Sequence, residues 1–412
     1  MTLKSTASVS ADHDPRLRPT PPWLQLLYLY LVTGLLIAVR PHPAIRALLT
    51  ALFIYACVQF SADCTSGPGD VLGNYVWGSN FGSTLIALPL FFWLDNPMKW
   101  RYRDEAAMPE TYPLWKRIYY AISILWSPRL IGWDTQVANV PPLMTKSRAV
   151  FLRQAAYTVV KSALVVDLAG TYVKLQPLIE LRGTPGFPTG LRGYLMASMC
   201  LFAYCTKTYA SVRLQHSCLA IVCVATGLGN GDPEMWPDLF GSWSDAYTVR
   251  RFWGQTWHQL IRRHFSACGK AVSSTLGFKK GSNASSYSKL YTAFFLSGLL
   301  HSFGDLALGE PFGKSMPFFL TNAVAITFED AAISVARRLG VGSATKTKGK
   351  EGPPPRWVRV LGYTWVFVWF SYSLRQLVWW TVPHEVGKTL PKFSIVQTIA
   401  PEFLLNLMKA SL

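Results

Sequence analysis

The chain has 412 residues, of which 50% are hydrophobic, 14% aromatic and only 15% charged. A soluble globular protein carries about 25% charged residues, so this composition excludes an ordinary soluble domain and indicates a polytopic membrane protein. The formal net charge is +18. Because the lysines and arginines are spread over many short loops, we expect them to anchor loops at an anionic membrane leaflet, and we expect no nucleic-acid partner.

Runs of about 17–25 mostly apolar residues are long enough to cross a bilayer as a helix. After a polar, proline-rich tail over residues 1–22, the sequence predicts a single transmembrane domain over residues 23–412 that is all-α, with about nine spans. The third span is short, and the fifth is so long that it is either one bent helix or two short ones. The predicted spans are residues 23–39, 44–60, 81–94, 149–170, 193–228, 290–308, 316–336, 357–380 and 393–408.

The distribution of basic residues predicts which loops lie on the cytosolic side. Residues 95–148, 229–290 and 337–356 are rich in lysine and arginine, so we expect them to be cytosolic, and an apolar stretch at 112–127 could lie in the interface plane. Residues 61–80 contain no lysine or arginine and are predicted to be a lumenal loop. With nine spans, the N-terminus is lumenal and the C-terminus is cytosolic.

A single histidine, His301, lies inside an apolar stretch that contains no lysine or arginine. A titratable ring at bilayer depth costs free energy unless it faces a cavity or a partner, so His301 is a candidate functional residue. On a helix, Ser297, His301 and Asp305 form one row, and we expect Asp305 to accept a hydrogen bond from the His301 ring. The alternative is a packing histidine bonded to a neighbouring helix.

A second candidate site lies in residues 251–265. If this stretch is one helix, it is amphipathic and suits a membrane interface. The polar face would then meet an anionic ligand, although a merely solvated face is the simpler explanation. One side of the helix would carry Trp253, Trp257, Leu260 and Ile261, and the opposite side Arg251, Gln255, His258 and Arg262.

These segments resemble the wax-synthase-like branch of the membrane-bound O-acyltransferases, and the resemblance covers residues 235–305. It is carried by Leu-Phe-Gly-Ser at 239–242, by the run from Tyr247 to His258 that contains Arg-Arg-Phe-Trp-Gly-Gln-Thr-Trp-His, and by Ser-Gly-Leu-Leu-His at 297–301. Members of that branch carry a Phe-Trp-Gly…Trp-(His or Asn) segment, followed by a histidine in a hydrophobic helix.

The resemblance implies acyl transfer from an acyl-CoA to the hydroxyl group of an alcohol, at the membrane of the endoplasmic reticulum. His301 matches the catalytic histidine of the family, and His258 matches the position that is His or Asn. We expect His301 to act as the base and His258 to stabilise the developing oxyanion. The residues that we expect to bind the substrates or the phosphates of coenzyme A are Arg251, Trp253, Trp257, Arg262, Ser297 and Asp305.

Similarity to fungal sequences favours acetyl-CoA as the donor and a terpenoid or meroterpenoid alcohol as the acceptor. A wax or sterol-ester synthase with long-chain donors is the first alternative. A proton-coupled transporter, with His301, Asp305, Glu329 and Asp330 as the relay, is an alternative of a different class, although the chain has no internal repeat. For Glu329 and Asp330 we expect a structural role and an Arg or His partner. The seven cysteines form no zinc-binding spacing, and we expect no metal.

Overall fold

The computed structural model describes residues 21–64, 71–103, 107–142, 147–175, 189–229, 231–341 and 354–381, and isolated positions at 105, 145, 346–347, 350–351, 394–395 and 398. These residues are helical apart from loops and one short hairpin, β1 (Lys346–Thr347) with β2 (Lys350–Glu351). The helices are α1 (Pro22–Val39), α2 (Pro43–Ala62), α3 (Val71–Leu88), α4 (Leu114–Trp126), α5 (Arg148–Leu175), α6 (Gly190–Thr226), α7 (Val249–Arg251), α8 (Arg262–Thr275), α9 (Asn283–Ala307), α10 (Met316–Arg338), α11 (Arg356–Ser373) and α12 (Arg375–Thr381).

Four of the described helices are long and apolar enough to cross a membrane by themselves: α1, α2, residues 148–173 of α5, and α10. The all-α prediction is confirmed, and by this measure the described residues give four spans where we predicted about nine. The helices α3, α9 and α11 have a similar length of 18 to 25 residues but contain more small or polar residues. A helix that packs against other helices need not be apolar on every side, so composition alone under-represents such helices. The last predicted span, 393–408, lies almost entirely outside the described residues.

The start of the third helix differs from the sequence prediction. The third helix begins at Val71 and not at residue 81, so residues 71–80 are not part of a loop. The prediction was wrong because glycines and asparagines interrupt the apolar run before Phe81. After α3 the chain continues as a π-helical turn, Pro89–Leu94. The long predicted span 193–228, for which the sequence left one bent helix or two short ones open, belongs to the single helix α6.

Two apolar cores meet at α9. The first core packs α1, α2, α3 and α4 around large side chains such as Phe81 and Phe92, and it includes Phe303 of α9. The second core packs α10, α11 and α12 against α5 and α6, and it includes Phe294 of α9. His301 lies on α9 between these two phenylalanines, so it lies where the two cores join.

The contact between α3 and α9 is a close approach of two backbones. A Cβ atom added at Gly82 would lie 2.6 Å from the Leu300 carbonyl oxygen, and one added at Gly304 would lie 2.8 Å from the Tyr75 carbonyl oxygen. A Cβ at Gly78 would collide with the Phe303 carbonyl oxygen. Small residues allow membrane helices to pack this closely, and here they bring α3 against the His301 helix.

The close approach predicts a difference between two glycines that both lie in long helices. Gly82→Ala should destabilise the protein by about 1–3 kcal/mol, because the new methyl group meets backbone that cannot move aside easily. Gly170→Ala is the matched control, since the atoms nearest to its added Cβ are 3.8 Å away on the flexible side chain of Lys207. Thermal unfolding of both variants in detergent tests this, and equal midpoints would contradict the packing described.

Candidate active site

The imidazole of His301 is held between two aromatic rings. Tyr75 of α3 stacks on one side, with ring centroids 5.6 Å apart and an interplanar angle of 19°. Phe319 of α10 stacks on the other, at 4.6 Å and 10°. The ring is half-buried, so part of its surface stays accessible. The stacking fixes the plane of the imidazole and covers its two faces, so the nitrogens at the ring edge remain available for hydrogen bonds or proton transfer.

The partner of the His301 ring differs from the one that we expected. The Oγ atom of Ser79 lies 3.4 Å from His301 Nδ1. Asp305 instead accepts hydrogen bonds from the backbone N–H of Ser315, at 2.8 Å, and from the Ser315 hydroxyl. The Tyr75 hydroxyl is also 3.0 Å from Ser315 Oγ. The prediction that Asp305 orients His301 directly was therefore wrong.

The position of Asp305 explains why it is engaged elsewhere. It lies in the last turn of α9, and its carboxylate reaches Ser315, which immediately precedes α10. The first N–H groups of a helix have no partner inside the helix, so a nearby carboxylate is stabilised there. Asp305 thus joins α9 to α10, and through Ser315 it also holds the Tyr75 hydroxyl.

Ser297 lies one turn before His301 on α9 and is half-buried. It stays on the predicted row, but within the part of the chain that the structure describes its side chain makes no hydrogen bond. Its expected role in substrate binding therefore remains a prediction.

The segment around His258 is not the single amphipathic helix that we predicted. The helix α7 has only three residues and continues into a π-helical turn, Phe252–Thr256. The backbone then becomes extended at Trp257, and α8 starts only at Arg262. His258 therefore lies in a break between two helical pieces, and the helical wheel placed its neighbours wrongly.

Arg251 and Arg262 form no anion-binding row with His258. Arg251 donates to the Asp245 carbonyl oxygen at 2.9 Å and forms an ion pair with its carboxylate at 2.8 Å. Arg262 donates from Nη1 to the carbonyl oxygen of Gly254 and to Oε1 of Gln259, each at 2.6 Å. Both guanidinium groups donate to acceptors in their own loop. The structure therefore does not support the predicted contacts with the phosphates of coenzyme A.

A continuous set of aromatic contacts connects the two histidines. Trp257 lies against His258 and against Trp253, with centroids 5.4 and 6.2 Å apart. Trp253 also contacts Phe318, which contacts the ring that stacks on His301. The contacts therefore link His258, Trp253 and Trp257 to the ring that stacks on His301, and the roles expected for these residues in catalysis and substrate binding remain predictions.

Asn322 of α10 fixes Trp253 in this arrangement. Its fully buried side-chain oxygen accepts from Trp253 Nε1 at 3.1 Å and from Trp369 Nε1 at 3.0 Å. Its amide nitrogen donates to the Phe318 carbonyl oxygen at 2.7 Å. A buried indole N–H needs such an acceptor, so Asn322 determines where Trp253 can lie.

His258 has an unusual polar environment. Its Nδ1 atom is buried and has no hydrogen-bond partner among the described residues. Burial, the larger cause, and the positive charge of Arg129 both act to lower the pKa of His258, which is about 4. The ring is therefore neutral at physiological pH, with one N–H group and one lone pair.

Arg129 is a residue of the site that the sequence did not reveal. Its buried guanidinium donates to the carbonyl oxygens of Pro237 and Asp238, each at 2.7 Å, and so fixes the loop that carries Phe240 against His258. Burial lowers the pKa of Arg129 to about 10. In the sequence it was one of many basic residues in a loop, and no spacing distinguished it.

Glu329 holds the start of the His258 segment. Its carboxylate accepts from the backbone N–H groups of Val249 and Arg250, at 2.6 and 3.1 Å, and from Trp365 Nε1 at 2.9 Å. The neighbouring Asp330 pairs with the Arg250 side chain. The expected arginine partner is thus confirmed for Asp330, whereas Glu329 stabilises the N-terminus of α7. Among the described residues no group of His, Cys, Asp and Glu forms a possible metal site.

Comparison with known proteins assigns the family. Residues 236–321, which contain both histidines, match the membrane bound O-acyl transferase family. Over 365 residues the chain is 34% identical to acetyltransferase ple2 of Rhodocybe pseudopiperita, covering 86% of this chain and 89% of that protein. The chain belongs to the membrane bound O-acyl transferase family. The protein is therefore a membrane-bound acyltransferase, and the transporter alternative falls away.

Two further relatives show the range of the similarity. Acetyltransferase eriL of Hericium erinaceus is 31% identical over 269 residues, which cover 63% of this chain and 65% of that protein. O-Mevalon transferase yanI of Aspergillus niger is 28% identical over 294 residues, which cover 66% of this chain and 63% of that protein. The resemblance to fungal transferases of this family is thus confirmed.

The lowered pKa of His258 predicts a pH-dependent stability. In the unfolded chain this histidine has its ordinary pKa of 6.5, so between about pH 6.5 and pH 4 the unfolded state binds more protons than the folded state. The free energy of unfolding is therefore highest above pH 6.5. As the pH falls through this window, the His258 effect lowers it by up to about 3 kcal/mol. Thermal midpoints across the window should fall less steeply for His258→Asn than for the unchanged protein. Parallel curves would contradict the assigned burial.

The adjacent acidic residues predict unequal effects. Glu329→Ala leaves two backbone N–H groups and one indole N–H without an acceptor, so we expect a loss of about 2–4 kcal/mol of stability and most of the activity. Asp330→Ala, the matched control, removes only a partly exposed ion pair and a tyrosine hydrogen bond, and should cost about 1 kcal/mol. Equal unfolding midpoints for the two variants would exclude the anchoring role of Glu329.

Proposed function

We propose that the protein transfers an acetyl group from acetyl-CoA to a hydroxyl group of an apolar secondary metabolite, such as a terpenoid or meroterpenoid. The observation that carries this proposal is that one of the two ring nitrogens of His301 makes no hydrogen bond to a described residue. Its Nδ1 faces Ser79, whereas no described residue is hydrogen-bonded to its Nε2. Two relatives that bear the name acetyltransferase support the choice of an acetyl donor.

The reaction needs a base, because an alcohol is a weak nucleophile until its proton is removed. In the proposed step the alcohol oxygen attacks the thioester carbonyl carbon while His301 takes the hydroxyl proton. The C–S bond then breaks, and the proton passes to the departing thiolate, which gives the ester and free coenzyme A. A positioned imidazole contributes about 10²–10⁴-fold to such a step.

His258 fits a polar substrate group. A buried nitrogen without a partner carries an energetic penalty that a bound ligand can remove. Since the ring is neutral, we assign its N–H to the thioester oxygen, on which negative charge develops during the attack. Arg251 and Arg262 are not part of this proposal, because both are engaged inside their own loops.

We further propose that the chain lies in the endoplasmic reticulum membrane and crosses it about nine times, with residues 229–290 on the cytosolic side. The basic residues of this stretch support the orientation. It would give the His258 segment access to acetyl-CoA from the cytosol, while an apolar alcohol could reach the site from the membrane.

Histidine variants in microsomes test the function. With labelled acetyl-CoA and a panel of terpenoid alcohols, His301→Ala should lose about 10²–10⁴-fold of the ester formation of the unchanged protein. The control is His264→Gln, a buried histidine that contacts Phe91 and not the site. It should retain activity. Unchanged ester formation in His301→Ala, at equal protein level, would remove His301 from the mechanism.

Competition between donors tests the acyl group. Acetyl-CoA should outcompete palmitoyl-CoA and mevalonyl-CoA at equal concentration, with the ester product identified by mass spectrometry. A preference for palmitoyl-CoA would make the protein a wax or sterol-ester synthase. A preference for mevalonyl-CoA would make a mevalonyl group, and not an acetyl group, the group that the protein transfers.

A further inference from the structure

Catalysis by His301 depends on which of its two ring nitrogens carries the proton. A neutral imidazole carries its proton on Nδ1 or on Nε2, and only the nitrogen without the proton can act as a base. Stacking between Tyr75 and Phe319 fixes the plane of the ring but does not select between these two forms. The selection must come from a polar group at the ring edge.

Among the described residues, Ser79 supplies the polar group that is hydrogen-bonded at that edge. Its hydroxyl oxygen lies 3.4 Å from Nδ1, and it comes from α3, one turn after Tyr75. The close packing at Gly304 holds it there, because a Cβ at that position would lie 2.6 Å from Ser79 Oγ. Asp305, the carboxylate nearest along α9, is bonded to Ser315 and is not in this position.

A hydroxyl can donate or accept, and the chemistry decides which role is compatible with catalysis. If Ser79 donated to Nδ1, the ring proton would lie on Nε2 and neither nitrogen would be free to take a proton. If Ser79 accepts from Nδ1–H, the lone pair remains on Nε2, to which no described residue is bonded. Hydrogen bonds at active sites are often long before substrate binds, so 3.4 Å is compatible with this role.

We propose that Ser79 is a positioning residue that holds the Nδ1 proton of His301 and so leaves Nε2 as the base. This inference rests on the proposed acyl transfer at His301. A hydroxyl orients the ring without placing a second charge beside it, so the imidazole stays neutral in its aromatic surroundings. Tyr75 supports the same arrangement by stacking on the ring, and the hydrogen bond between its hydroxyl and Ser315 holds it in place.

Three variants test the proposal by steady-state kinetics. Ser79→Ala should lower kcat about fivefold to tenfold, the effect of losing one hydrogen bond, with KM for both substrates within about twofold of the original. Ser79→Cys should be intermediate, since a thiol of similar shape accepts hydrogen bonds weakly. Ser302→Ala is the matched control: Ser302 is a buried serine next to His301 in sequence, but its hydroxyl donates to Gly298. It should retain kcat.

A measurement on the ring itself keeps the test independent of activity. In protein labelled with nitrogen-15 histidine, the His301 signals are identified by their loss in His301→Ala. We expect a protonated Nδ1 and an unprotonated Nε2, and in Ser79→Ala a mixture of the two tautomers. A protonated Nε2 in the unchanged protein would overturn the proposal.

The two proposals fail in different ways. If His301→Ala abolishes ester formation while Ser79→Ala keeps the original kcat and tautomer, the role of Ser79 is excluded and the acyl transfer stands. If His301→Ala retains ester formation, the mechanism itself fails. The thermal midpoint of Ser79→Ala, compared with that of Ser302→Ala, shows whether a loss of kcat reflects the site or the fold.

Discussion

The candidate active site depends on the close contact between α3 and α9. Glycines on both helices remove the side chains that would otherwise separate the backbones, and the helices approach until carbonyl oxygens lie against the positions of the missing Cβ atoms. Only at that separation do Tyr75 and Ser79 reach the ring of His301. A bilayer offers little hydrophobic driving force between helices, so van der Waals packing of this kind must hold them together.

Around this contact, α10 acts as the common support of the site. Phe319 stacks on His301, Asn322 accepts from the indole of Trp253, and Glu329 accepts from the backbone at the start of α7. These three residues lie on one helix, and they fix His301, the aromatic contacts and the His258 segment relative to one another. Asp305 ties the start of the same helix to α9. The polar residues inside this protein therefore serve mostly to place aromatic and imidazole rings.

The sequence predicted the residues of the site better than their geometry. Periodicity and apolar length were enough to locate His301 on a helix, because a histidine is conspicuous in an apolar stretch that contains no lysine or arginine. They failed for His258, since a helical wheel assumes a regular helix and the chain instead forms a π-helical turn and then extends. Ser79 and Arg129 could not have been found, because their contacts are with distant parts of the chain. Even the start of α3 was obscured by the small residues that make its packing possible.

One consequence concerns how such a protein is made. Ser79 and His301 are 222 residues apart in the chain, so the ribosome must complete α4 through α9 before the two can meet. At a translation rate of about 5–20 residues per second, the face of α3 that later packs against α9, with its glycines and polar side chains, stays uncovered in the membrane for about 10–45 s. During that interval the nascent protein is exposed to mispairing with other helices or to quality control. The capacity of a membrane chaperone or of the insertion machinery to shield this face would then limit how much active enzyme the cell obtains.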